Sequence, residues 1–228
     1  MPTVLLVRHG RTTANAAGVL AGRAPDVHLD DVGLQQARDA GERLRAVPLA
    51  RVVSSPLERC RETAAAILAG RSDAPTPTLE PGLTECDYGA WQGRPLSELA
   101  GEDLWRIVQA TPSAATFPDG ESMRGMHARA IEAVRRIDAE VLAEHGPDAV
   151  WVGVSHGDVL KAILADALGT HLDLFQRIHV DPASVSIVRY GPGRPTVLGV
   201  NTHAGDLAWL APRADRDAPS DDAMVGGG

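Results

Sequence analysis

The chain has 228 residues, 44% hydrophobic and 23% charged, with 30 acidic side chains against 22 basic ones and a net charge of −8. That length can bury a sizeable core, and the balance is ordinary for a soluble globular protein. No apolar run approaches the roughly 18 residues of a membrane helix, and the arginines lie scattered among acids, which argues against a membrane or nucleic-acid partner. Met1 and Pro2 run straight into an apolar stretch with no basic-then-apolar leader, so a cytoplasmic protein is expected.

Thr3–Val7 (TVLLV) reads as a buried strand that stops at Arg8-His9-Gly10. Gly33–Ala46 has Leu34, Ala37, Gly41 and Leu44 near helical spacing. Arg51–Ser54 is a short strand, Leu57–Ala69 a helix entered after Pro56, and Thr76–Leu79 a third strand. Pro95–Ala110 gives one or two short helices ended by Thr111-Pro112. A long amphipathic helix follows, from the cap Ser122 to His145, stopped by Gly146-Pro147. Ala149–Val154 is a buried strand and Asp158–Leu168 a helix ended by Gly169. Ser184–Tyr190 and Thr196–Val200 are final strands joined through Gly191-Pro192-Gly193. From Ala211 the chain turns polar and rich in Ala, Pro, Asp and Gly, and reads as a disordered tail (211–228). With no repeat and no linker, residues 1–210 are expected to form one α/β domain.

Two of these strands end in the same dipeptide, His9-Gly10 and His156-Gly157. Open α/β sheets bind ligands beyond the carboxyl ends of their strands, so both histidines fall at the edge where a site belongs. One histidine at a loop start is unremarkable; two at the same edge, each followed by glycine, which lets backbone approach a ligand closely, point to a site. Arg59 lies about one turn into the helix after the second strand. Alone it reads as a surface arginine, yet it is placed to reach back toward that edge. Two arginines, two histidines and a helix N-terminus suit a doubly charged phosphoryl group.

These residues carry a resemblance. The segments VRHGRTTAN, SSPLERCRETA, LTECDYGAWQG, FPDGES and VSHGD occur in the order and spacing of the histidine phosphatase superfamily, over roughly residues 2–207. That superfamily includes the cofactor-dependent phosphoglycerate mutases and broad-specificity phosphatases. Within it the chain resembles an actinobacterial group of phosphomutase and phosphatase homologues, which supplies no substrate. The resemblance implies a three-layer α/β/α sandwich around a mostly parallel sheet of about six strands with an antiparallel edge. It also implies that His9 is the nucleophile, that Arg8, Arg59 and His156 hold the phosphoryl group with Gly157 beside them, and that Asn15 is a supporting contact. Glu85 is the implied proton donor, with Asp158 the rival, since the acid-phosphatase branch places an aspartate directly after its second histidine. For this chain no cofactor and no metal are expected, and because relatives are often dimers or tetramers a homodimer or homotetramer is expected.

Phosphoglycerate mutases carry a long basic insertion between the glutamate motif and the second histidine that grips substrate and shields the intermediate. Here Leu99–Pro118 contains only Arg106 as a cation. Hydrolysis of small phosphate monoesters is therefore expected, with isomerisation of a phosphorylated metabolite as the alternative and an inactive phosphate-binding module as the second. Arg11 stands where many relatives have an acid, which predicts a more basic mouth. The eight histidines form no metal-binding spacing. Cys60 and Cys86 read as small core residues rather than a disulfide or redox pair. Trp91, Trp105 and Trp151 read as packing residues, with Trp105 in the segment expected to cover the pocket.

Overall fold

The computed structural model describes residues 1–191 and 193–203. The tail reading from Ala211, and Pro192 of the expected hairpin, lie outside the described residues.

Six strands form one mixed sheet: β1 (Thr3–Arg8), β2 (Arg51–Ser54), β3 (Thr78–Leu79), β4 (Val150–Ser155), β5 (Val185–Arg189) and β6 (Thr196–Thr202), in the order β3-β2-β4-β1-β5-β6. β1 pairs parallel with β4, β4 with β2, and β2 with β3. β5 and β6 run antiparallel at one side. The expected sandwich with its antiparallel edge is the observed fold.

Alternation along the central strands explains the layers. Val4 and Leu6 of β1, with Trp151 of β4, face one core cluster, while Leu5, Val7, Val152 and Val154 face the other. A near-continuous apolar strand is what a sheet covered on both faces requires. Onto the first face pack α6 (Met123–His145) and α7 (Gly157–Ala167). Onto the second pack α2 (Asp31–Leu44) and α3 (Glu58–Leu68) through Leu44, Cys60, Ala64 and Ile67. Each fully buried aliphatic side chain contributes about 1.5–3 kcal/mol.

Element boundaries moved where caps decided them. α2 starts at Asp31 because the Asp30 carboxylate accepts the Gly33 N–H at 2.7 Å. Its buried face is Gly33, Ala37, Ala40, Gly41 and Leu44, so Leu34 is turned partly outward. α6 is capped by the Ser122 hydroxyl, which accepts from Gly125 N–H, as its sequence predicts. The short helices α1 (Thr13–Ala16), α4 (Leu96–Leu99) and α5 (Asp103–Ala110) complete the set, with a 3-10 segment over Leu172–Arg177 that the sequence reading leaves unassigned. Trp105 of α5 lies in the core with its ring 6.1 Å from that of Trp91, so it packs the interior.

Candidate active site

β1, β2 and β4 deliver their carboxyl ends to one edge. Arg8 is the last residue of β1, and His9 follows it, its N–H donating to Ser155 O at 2.9 Å. β2 ends at Ser54 and leads into α3, whose second residue is Arg59; β4 ends at Ser155, and His156 is the N-cap of α7, with Gly157 its first residue. Glu85 enters from the turn after β3, which is tied to the sheet where Ser155 Oγ donates to Leu83 O at 2.7 Å. Arg8, His9, Arg59, Glu85 and His156 are each at most 2% exposed.

The geometry defines what each can do. His9 Nδ1 lies 2.7 Å from Gly10 O, a carbonyl that can only accept, so Nδ1 carries the proton and Nε2 the lone pair. Arg59 Nε–H points at that Nε2 from 3.3 Å and its Nη2 donates to Gly22 O at 2.7 Å. Arg59 Nη1 is buried with no hydrogen-bond partner among the described residues. Arg8 Nη1 donates to Val180 O at 2.8 Å. The His9 and His156 rings meet edge-on at 5.2 Å between centroids. His156 Nε2 sits 2.8 Å from Ser55 Oγ, and its Nδ1 is 4.0 Å from a Glu85 oxygen.

Burial, then Arg59 and Arg8, holds His9 well below the ordinary imidazole range, against the opposing pull of the Gly10 carbonyl. Burial, then Arg59 and His9, does the same to His156. Glu85 moves the other way: burial and the nearby Asp158 raise it to about 7, although the Cys86 N–H and Arg59 oppose the shift. The site thus pairs neutral imidazoles with a carboxyl that gives up its proton near neutrality.

Packing by itself requires Gly10: a Cβ there would stand 2.4 Å from Gly33 O, and one on Gly33 would stand 1.9 Å from Arg11 O. The loop is further braced by Thr63, which accepts the Gly10 N–H, and by Ala183, whose N–H reaches the Arg8 and His9 carbonyls from a left-handed backbone (φ 57°).

The other expected residues fall as follows. Asn15 closes a capping box at the start of α1, accepting from Thr12 N–H and Oγ–H. Arg11 does not make the mouth basic as the sequence suggests, because its Nε–H is bound to Asp30 at 2.8 Å. Asp158 is buried, accepts the Tyr88 hydroxyl at 2.8 Å and lies 3.8 Å from Lys161 Nζ. Cys60 and Cys86 are free and buried in the two core clusters, and burial pushes the Cys60 thiol up to about 12 and Cys86 up as well, which disfavours the thiolate. Among the described residues no group of three or more His, Cys, Asp or Glu is arranged to hold a metal ion, and no helix is long and apolar enough to cross a membrane.

Sequence reasoning missed Ser55, Thr63, Arg23, Glu121 and Arg129. Arg23 and Arg129 donate to the Glu85 carbonyl, and Glu121 binds both guanidiniums. Glu121 lies in the quoted FPDGES segment, but no local pattern marks what it holds.

The profile of the histidine phosphatase superfamily (branch 1) matches residues 4–203. The chain belongs to that superfamily. It is 35% identical over 203 residues to the bifunctional protein Rv2228c of Mycobacterium tuberculosis, covering 87% of this chain but only 53% of that one, so the chain spans about half the length of this relative. It is 34% identical over 220 residues to the "Probable phosphoglycerate mutase GpmB" of Yersinia pestis, covering 92% and 95% of the two. The crystal structure of the alpha-ribazole phosphatase of Shigella flexneri superposes with a TM-score of 0.73 at 27% identity, over 88% of this chain and 96% of that one.

Proposed function

We propose that the protein is a phosphatase that hydrolyses small phosphate monoesters through a phosphohistidine at His9, without a metal ion. The observation that carries the reading is Arg59: a guanidinium 2% exposed, its Nη1 unpartnered, beside the Nε2 lone pair of His9. Burying a cation without a matching anion costs several kcal/mol in general, and a phosphoryl group supplies that anion.

The chemistry follows from the geometry. Nε2 of neutral His9 attacks phosphorus, and the P–N bond forms as the P–O ester bond breaks. Arg8, Arg59 and His156 balance charge on the non-bridging oxygens, Gly157 N–H at the start of α7 adds a donor, and Asn15 is the supporting contact. Protonated Glu85 gives its proton to the departing oxygen, and the alcohol leaves. The Glu85 carboxylate then takes a proton from water, whose oxygen attacks phosphorus as the P–N bond breaks, releasing phosphate and restoring His9. His156 is held neutral by burial and by its cationic neighbours; an incoming phosphate dianion raises its pKa and favours the protonated form.

Isomerisation is the second reading, favoured by the likeness to the Yersinia mutase-named protein. Against it stands the lid. Leu99–Pro118 carries the single cation Arg106, which is exposed and pairs with Asp103 at 2.9 Å, in place of a basic insertion. An inactive binding module, the third, leaves the tuned Glu85 without a purpose. A phosphorus NMR time course with chelator, 3-phosphoglycerate and an aryl phosphate separates them. Growth of free phosphate supports the phosphatase. A new phosphoester signal without free phosphate supports the mutase, and no change in either ester with His9 unphosphorylated supports the inactive module.

A further inference from the structure

Glu85 lies in a loop of turns and 3-10 backbone, where an acid–base carboxyl has no helix or strand to hold it. What holds it is the peptide that follows. Its carbonyl, Glu85 O, accepts from Arg23 Nε at 2.8 Å and from Arg129 Nη2 at 3.0 Å. Its amide, Cys86 N–H, donates to Glu85 Oε1 at 2.8 Å. The two guanidiniums therefore set the plane of the 85–86 peptide, and the carboxyl is bonded to the other end of that plane. The second oxygen, Oε2, is the one that faces His156.

The guanidiniums are themselves locked. Glu121 Oε1 accepts from Arg129 Nη2 at 2.6 Å, from Arg23 Nη2 at 2.9 Å and from Asp87 N–H at 2.9 Å, and Oε2 accepts from Arg129 Nε at 3.1 Å. Arg129 Nη1 also takes the Gly82 and Thr84 carbonyls at 2.9 and 2.7 Å, so one side chain reads three carbonyls of the Glu85 turn. Arg129 stands on α6, whose buried face (Met126, Ala130, Ala133) anchors it to the core. Gly82 permits the close approach: a Cβ there would lie 2.6 Å from the Ala133 Cβ. Charge-assisted hydrogen bonds of this kind are about twice as strong as neutral ones.

We propose that Arg129 and Arg23, tied together through Glu121, are positioning residues that aim the Glu85 carboxyl at the leaving-group oxygen by fixing the 85–86 peptide plane. This rests on Glu85 being the acid–base group. It predicts that losing the clamp mimics losing the acid, because a carboxyl displaced by about 1 Å can cost on the order of 100-fold.

The test compares an alkyl phosphate, glycerol 2-phosphate, with 4-nitrophenyl phosphate, whose leaving group barely needs an acid. Arg129→Gln is expected to lose roughly 10- to 100-fold in kcat on the alkyl ester and far less on the aryl ester. The double variant with Glu85→Gln is expected to be no slower on the alkyl ester than Glu85→Gln alone. Equal loss on both esters, or losses that multiply in the double variant, overturns the positioning role. If Glu85→Gln itself shows no ester preference, the acid–base reading falls and takes this role with it. If Glu85→Gln shows the preference and Arg129→Gln does not, only the positioning role falls. Should Arg129→Gln fail to fold, Arg23→Gln, at a half-exposed position on the same carbonyl, carries the test with the same signs.

Discussion

Arg59 Nε lies 3.3 Å from His9 Nε2 and directs its N–H at that lone pair, on the opposite side of the ring from the Nδ1–H that is committed to Gly10 O. One bond fixes the tautomer and the other keeps the Nε2 lone pair, the proposed nucleophile, facing a cation that a phosphoryl group would bridge.

Arg59→Lys tests this relationship. Lysine keeps the charge but loses the planar fork that spans His9 and Gly22. By analogy with arginines that stabilise phosphoryl transfer, kcat/KM is expected to fall on the order of 1,000-fold, with a parallel loss of inhibition by vanadate. A loss below about tenfold would mean that charge alone suffices and that the fork is incidental.

The pH profile has a sign fixed by two shifts in opposite directions. In the proposed mechanism Glu85 must be protonated to release an alkoxide, and burial with Asp158 brings its pKa to about 7, so kcat/KM on an alkyl phosphate is expected to fall as pH rises through that region. The proposed attack needs His9 neutral, and its lowered pKa keeps it so well below the ordinary imidazole range, so activity is expected to persist on the acid side. In Glu85→Gln the alkaline limb is expected to vanish for the same substrate. An alkaline limb that survives unchanged in that variant belongs to another group.

Gly33→Ala probes the brace beneath His9. The new methyl would sit 1.9 Å from Arg11 O, against backbone that has no rotamer to give. Overpacking of this kind costs about 1–3 kcal/mol, read as a lower urea midpoint, and kcat is expected to drop with it as Gly10 is displaced from Thr63. An alanine variant of unchanged stability and rate would show that the strand-end loop tolerates movement.

Much of this architecture is legible locally. Thr3–Val7 and Ala149–Val154 are apolar runs that only a doubly covered sheet accommodates, and the His-Gly pairs that end them fall where parallel strands present ligands. Long-range partners leave no such trace. Arg129 reads as one more exposed arginine on a helix, and its reach to Glu85, 44 positions away, depends on how closely the Gly82 turn approaches α6. Arg11 misleads for the same reason: its partner Asp30 is 19 residues distant, and the sequence shows the charge but not its neutralisation. The 3-10 segment at Leu172–Arg177 is easily missed because its buried residues Leu172 and Phe175, with Ile178 at its C-cap, repeat every three positions, a period that matches neither the 3.6 of an α-helix nor the 2 of a strand and spans only two turns.

A covalent phosphohistidine at His9 is the step on which hydrolysis by this route depends. The measurement is rapid acid-free quenching of the enzyme during turnover of 4-nitrophenyl phosphate, followed by intact-mass and peptide mapping of the trapped protein, in wild type and in His9→Ala. The predicted result is one phosphoryl group on the peptide containing His9, lost on mild acid treatment, and absent along with turnover in His9→Ala. Turnover that persists in His9→Ala, or a phosphoryl group mapped to another side chain, would contradict the account.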